Sequence, residues 1–124
     1  MSERILLVED EEAIRDAIEF SLAKAGYEVV ATASGRSGLE LALHQPFDAA
    51  VLDLLLPDLD GAEICARLRS AGQSSLPIVV MSARADGDAS RAAFEAGATA
   101  FLAKPFAMAE LRAQLRPLVA GTAE

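Results

Sequence analysis

Apolar residues follow two alternating rhythms along this chain. Short unbroken runs, Ile5-Leu6-Leu7-Val8, Ala49-Ala50-Val51-Leu52 and Ile78-Val79-Val80-Met81, are separated by stretches where apolar residues recur every three or four positions. A short continuous run reads as a strand buried on both faces, as in parallel sheets, and the second spacing reads as an amphipathic helix. The first strand, 4–8, leads into a helix from Glu12 to Ala25 that presents Ile14, Ile18 and Leu22 and stops at Gly26. A second strand covers 27–33. Ser34 then caps a helix with Leu39, Ala42 and Leu43 on one side, ending near His44-Gln45-Pro46.

The central run, 49–57, contains Asp53 and ends in the turn residues Pro57-Asp58-Leu59-Asp60-Gly61. Asp60 followed by Glu63 has capping-box spacing and opens a helix with Ile64, Cys65 and Leu68 inward and Gly72 after it. Next come a strand over 76–82, an Ala-rich helix from Asp86 to Ala96 closed by Gly97, and a strand over 98–103. The last helix begins after Phe106 and carries Met108, Leu111 and Leu115. Pro117 is expected to end or kink it, and residues 121–124 to fray.

Five strand–helix units predict an α/β, doubly wound, five-stranded parallel sheet with helices on both faces, flavodoxin-like, in the order 2-1-3-4-5. Right-handed crossovers bring every strand's carboxyl end to one edge, where such sheets keep their ligand crevice.

Composition narrows the function. The 124 residues, with no repeat or linker, predict one domain over 1–124. Lys plus Arg number 11 against 19 Asp plus Glu, a net charge of −8. That balance opposes non-specific nucleic-acid binding by this domain and suits a cation or a basic protein partner. The single Cys65 excludes an internal disulfide and a multi-cysteine metal site. Met1-Ser2-Glu3-Arg4 runs straight into a short apolar stretch, and no window reaches membrane-spanning length, so a cytoplasmic location is expected.

Candidate chemistry gathers at the predicted carboxyl ends: Glu9 and Asp10 after the first strand, Asp53 on the third, Ser82 on the fourth and Lys104 on the fifth. Each has a plainer explanation. Acids favour a helix's first turn, which accounts for Glu11 and Glu12 better than for Glu9 and Asp10. Asp53 by itself could be the first solvated residue of a loop. His44, at a helix end beside a proline, reads as a surface residue, and Cys65 as small filler. A calcium loop at Asp58-Leu59-Asp60-Gly61 fails, because its first and last ligand positions would be Leu56 and Arg67.

Together the rim residues form a chemical set. Crowded carboxylates are relieved by a hard divalent cation, and Mg²⁺, which shares its sphere with water and phosphate, suits them best. Lys104 and Ser82 suit phosphoryl oxygens, and Asp53, between the acid pair and Ser82, is the best-placed carboxylate nucleophile for phosphoryl transfer.

At this point the chain resembles a two-component response-regulator receiver domain. The resemblance runs from Ile5-Leu6-Leu7-Val8-Glu9-Asp10-Glu11 through Asp53-Leu54-Leu55-Leu56-Pro57-Asp58-Leu59-Asp60-Gly61 and Pro77-Ile78-Val79-Val80-Met81-Ser82-Ala83-Arg84 to Gly97-Ala98 and Lys104-Pro105-Phe106. It implies that Asp53 accepts a phosphoryl group from a phosphohistidine on a sensor histidine kinase or phosphotransfer protein. It also implies that Asp10, Asp53 and the backbone oxygen of Leu55 hold Mg²⁺, with Glu9 acting through a water. Ser82 would approach the phosphoryl group, Phe101 would turn inward as the switch aromatic, Lys104 would contact the phosphoryl, and the Lys104-Pro105 bond would be cis. A changed surface of the fourth helix, fifth strand and fifth helix would meet an output domain or protein. Such a domain catalyses its own phosphorylation and dephosphorylation without being a conventional enzyme.

Phe101 stands where many members have Tyr. Thr99 and Ala100 replace the acids that winged-helix regulators use for dimer salt bridges, which puts such a dimer in doubt. Leu55 and Arg84 occupy positions that tune phosphoryl lifetime in the family.

Three rival readings remain at this level. A phosphohydrolase with an aspartyl intermediate wants a second acid where Leu55 stands. A flavin-binding module wants a phosphate-cradling loop where Glu9-Asp10-Glu11-Glu12 would repel one. A pseudo-receiver used only as a scaffold would not need the acid, hydroxyl and lysine set.

Overall fold

The computed structural model describes residues 2–84 and 86–122, with side chains as far as Val119. Five strands, β1 (Arg4–Val8), β2 (Glu28–Thr32), β3 (Ala49–Asp53), β4 (Ile78–Ser82) and β5 (Ala100–Ala103), form one sheet in the order β2-β1-β3-β4-β5. All four pairings are parallel. The helices are α1 (Glu12–Lys24), α2 (Gly35–His44), α3 (Gly61–Ser70), α4 (Gly87–Ala96) and α5 (Met108–Thr122).

Period-two alternation divides the core between the sheet's faces. Ile5, Leu7, Ala49, Val51, Val79 and Met81 pack with Ile18 and Leu22 of α1 and with Leu111, Leu115 and Val119 of α5. Leu6, Val8, Ala50, Leu52, Ile78 and Val80 point the other way, onto Leu39 and Ala42 of α2, Ile64, Cys65 and Leu68 of α3, and Ala89 and Ala93 of α4. Each fully buried Leu or Ile contributes about 2 kcal/mol, whereas α4 offers only methyl groups to the sheet and is the more weakly anchored helix. Phe94, the only large apolar side chain of α4, is exposed instead.

Local chemistry sets several boundaries. Ser34 caps α2 by accepting from the Ser37 N–H at 3.1 Å. Gly97 ends α4 at φ 116°, a left-handed conformation that favours glycine. Asp60 caps α3 through the Ala62 N–H, but the reciprocal half of the expected capping box is absent, because Glu63 pairs with Arg67 at 2.6 Å.

Three other expectations need correction. Leu43 is exposed rather than inward, so Leu39 and Ala42, with the partly buried Leu41, anchor α2. β5 begins at Ala100 rather than Ala98, since Ala98 still donates to the Ala93 carbonyl at the end of α4. Pro117 does not end the last helix, which continues to Thr122. Leu115 and Val119, on either side of it, are buried against the sheet, while Ala113 and Pro117 are exposed. Packing therefore carries the helix past the missing hydrogen bond, and the unpartnered carbonyl lies on the wet side. Of the tail expected to fray, Ala123 and Glu124 lie outside the described residues.

Candidate functional site

The rim lies at the carboxyl ends of β1, β3, β4 and β5, and in the first three of these the residues just before it are locked in the core. Val8, Leu52 and Met81 are completely buried, so the residues that follow them have little freedom of position. Glu9, just past β1, is itself completely buried, and its backbone N–H donates to the Thr32 carbonyl. Asp53, the last residue of β3, is 5% exposed, and Ser82, the last of β4, is fully buried. Asp10 is exposed at the lip.

Lys104 joins these elements. Its Nζ donates to Glu9 Oε1 at 2.7 Å and to Asp53 Oδ2 at 2.8 Å, and its backbone N–H donates to the Ser82 carbonyl at 2.8 Å. The Lys104-Pro105 peptide is cis, as the sequence resemblance implies. Carboxylate oxygens of Glu9, Asp10 and Asp53 lie within 4.8 Å of one another. Two of the three acids thus share one ammonium, and among the described residues Asp10 has none.

The remaining lone pairs are accounted for from nearby backbone. The Leu55 N–H donates to Asp53 Oδ1 at 3.1 Å, and the Glu11 N–H to Glu9 Oε2 at 3.1 Å. The Ser82 hydroxyl accepts from the Arg84 N–H at 3.0 Å. Burial, the strongest influence on Glu9, raises its pKa above the usual carboxylate value although the Lys104 and Glu11 donors pull it down. Burial works against the Lys104 charge too, but the bonds to Asp53 and Glu9 outweigh it and raise that pKa.

The donor set fits a hard divalent cation. Its atoms are all oxygens and converge from two strands. The Asp10 carboxylate has no hydrogen-bond partner among the described residues, so it is free to take a ligand. Phe101 is half-buried against the core on the α2–α3–α4 side of the sheet. Leu55 is exposed beside Asp53, and Arg84 turns to Asp86 at 3.0 Å.

Residues read as ordinary behave so. His44 is exposed beside Glu40, and Cys65 is buried, its thiol pushed up to about 11 by that burial.

Three contributors were missed in the sequence. The Arg15 guanidinium donates to the Glu9 carbonyl at 3.0 Å, tying α1 to the acid pair. Asp58 accepts from the Gly35 N–H at 2.9 Å, the Arg36 N–H at 3.0 Å and the Ser34 hydroxyl at 2.9 Å. It fastens the loop after β3 to the start of α2, and these donors lower its pKa to about 2. Gly61 lies so close to the same loop that a Cβ there would meet the Asp53 carbonyl at 2.5 Å. Arg15 had a detectable signal, a cation one helical turn past four acids; the partners of Asp58 and Gly61 are set by tertiary contact.

A doubly wound parallel sheet with an acid cluster, a hydroxyl and a lysine at its switch point defines a receiver-type α/β architecture. A family model described as the response regulator receiver domain matches residues 5–116, and the chain belongs to that family. Response regulator MprA of Mycolicibacterium vanbaalenii is 43% identical over 122 residues, covering 98% of this chain and 52% of the relative. The chain spans about half the length of the curated relatives it matches.

Among solved structures, a putative response regulator from Chloroflexus aurantiacus superposes with a TM-score of 0.91 at 37% identity, covering 97% of this chain and 99% of the other. The receiver domain of a Pseudomonas aeruginosa sensor histidine kinase, with a magnesium ion coordinated in its active-site cleft, gives 0.88 at 34% identity and covers 97% and 99%. The chemotaxis response regulator CheY4 of Vibrio cholerae gives 0.88 at 29% identity and covers 95% and 99%. Among the described residues, no helix is long and apolar enough to cross a membrane.

Proposed function

We propose that residues 1–124 form one receiver domain that works as a phosphoryl-accepting switch, with Asp53 as the acceptor. The observation that carries this reading is the single Lys104 ammonium bonded to both Glu9 and Asp53 while Asp10 stands uncompensated beside them.

In the transfer, a carboxylate oxygen of Asp53 forms a bond to the phosphorus of a kinase phosphohistidine. The phosphorus–nitrogen bond breaks, and the imidazole keeps the electron pair and takes a proton. Asp10, Asp53 and the Leu55 carbonyl would hold Mg²⁺, with Glu9 behind a water; the cation, when bound, neutralises phosphoryl charge. Lys104 leaves Asp53 to contact a phosphoryl oxygen and remains tied to Glu9. Ser82 gives up its bond from the Arg84 N–H and donates to another oxygen. Water later attacks the phosphorus and releases inorganic phosphate, which restores the carboxylate.

The added dianion biases a two-state element. Movement of Ser82 makes room for Phe101 to turn inward. The response then reaches the surface of α4, β5 and α5, where α4 is held by the small side chains Ala89 and Ala93. An output domain or protein reads that surface, the partner upstream is a sensor histidine kinase or phosphotransfer protein, and the location is cytoplasmic.

Incubation with acetyl phosphate and Mg²⁺ tests the reading. Intact mass should rise by one phosphoryl per chain, and peptide mapping should put it on Asp53. Label elsewhere, or none, defeats the proposal. Steady phosphate release over many equivalents of donor would favour the phosphohydrolase instead.

A further inference from the structure

The water-facing side of α1 carries a row that the acid site does not use. Ile18 and Leu22 hold the helix on the sheet, and Asp16, Phe20 and Lys24 are exposed on the opposite side. Four residues apart, they form one line along the helix. Phe20 is 69% exposed, the highest among the exposed large hydrophobic residues, and the Lys24 ammonium lies 5.6 Å from the centre of its ring. Beside it opens a hollow of about 390 Å³ lined by Phe20, Ser21, Lys24, Ala25 and Arg112. Among the described residues neither Asp16 nor Lys24 has an ion-pair partner, whereas Arg4, Arg67, Arg84 and Arg91 each have one.

We propose that this row is a self-association surface on which a second copy of the chain docks, α1 against α1 and antiparallel, about a two-fold axis at Phe20. A two-fold interface must be complementary to itself. The row meets that condition: an acid lies one turn before the ring and a base one turn after it. Antiparallel docking therefore sets Asp16 of each copy against Lys24 of the other. Parallel docking would put acid against acid and base against base, so charge selects the orientation. Each Phe20 ring enters the hollow of the other copy, next to Arg112, which its bond to Ser21 at 2.6 Å holds in place. Ala13 and Ala17, exposed near the row, let the two helices approach. Glu19, half-buried on the same helix, stays at the margin.

Rows of this spacing cross at about −50° when packed on each other, which concentrates contact on a few residues. The buried area then falls below the roughly 1,200 Å² typical of stable complexes, and the association is weak and concentration-dependent. Each copy carries −8, so the measurement belongs at physiological salt, where the screening length is about 8 Å.

Sedimentation equilibrium of the chain from about 10 µM to about 1 mM, a range suited to weak interfaces, should show the mass climbing from one chain toward two. Phe20→Ser should stay a monomer throughout. Asp16→Lys and Lys24→Asp should each weaken association about tenfold or more, and the combined Asp16→Lys/Lys24→Asp variant should restore it. Circular dichroism melts, expected to be nearly unchanged for these exposed positions, separate lost association from lost folding. The proposal is overturned by a monomer at every concentration, by a dimer that survives Phe20→Ser, or by a double variant no better than the singles. Loss with Lys24→Asp but not with Asp16→Lys would show that the two charges do not meet across the axis, and would also overturn it.

Discussion

Asp53 ends β3, Asp58 lies five residues further on in the loop that follows, and the two are used in opposite ways. Asp58 is exposed, yet its carboxylate accepts from two backbone N–H groups and a hydroxyl at the start of α2. Its charge is matched by donors that cannot leave. Asp53 is buried, shares one ammonium with Glu9, and stands beside a third acid whose charge is unmatched. The first carboxylate is architecture, because everything it needs is already bound. The second sits in a cluster with negative charge to spare, and that surplus is what a hard divalent cation can use. The two carboxylates differ in burial, and they differ as much in how fully their charge is compensated.

Replacing each acid in turn breaks the comparison most sharply. Asp53→Asn should abolish labelling by acetyl phosphate, whereas Asp58→Asn should retain it, both read by intact mass. Gly61→Ala attacks the link between them. Its new methyl would press on the Asp53 carbonyl at 2.5 Å and the Leu54 Cα at 2.9 Å. Chemical denaturation should show a loss of about 2 kcal/mol, with slower labelling. Gly87→Ala, with nothing within 4 Å, is the matched control and should show neither effect.

Smaller effects sharpen the contrast. Mg²⁺ at ten times its Kd should stabilise the folded chain by about 1.4 kcal/mol, since it binds that state alone. The corresponding rise in melting temperature, about 5 °C, should persist in Asp58→Asn and shrink in Asp53→Asn.

Acid titration probes the other member of the pair. The folded Asp58 pKa lies at about 2, below its ordinary 3.8, so between those values the unfolded chain binds more protons than the native one. Its contribution is present above pH 3.8 and disappears as pH falls through about 2. Asp58→Asn should flatten stability against pH across that window, and an unchanged slope would contradict the anchoring role.

The pattern of apolar runs made the architecture legible, because strands buried on both faces have a signature that needs no partner information. Strand order, the separate rim residues and the cis Lys104-Pro105 bond were likewise anticipated. Expectations failed where tertiary contact outweighs a local rule. Pro117 is carried through α5 by Leu115 and Val119 packed on the sheet. Glu63 takes Arg67 instead of completing a capping box, and Leu43 falls just outside the arc that faces the sheet. The partners of Asp58 lie more than twenty residues away and leave no mark on the sequence around it.

Lys104 meets Glu9 across 95 residues of chain and Asp53 across 51. A polypeptide still emerging from the ribosome therefore has its acids long before it has their cation. A fragment that stops short of residue 104 lacks that ammonium altogether. The charge balance of this rim thus waits on the last strand of the sheet, however early the first three have paired.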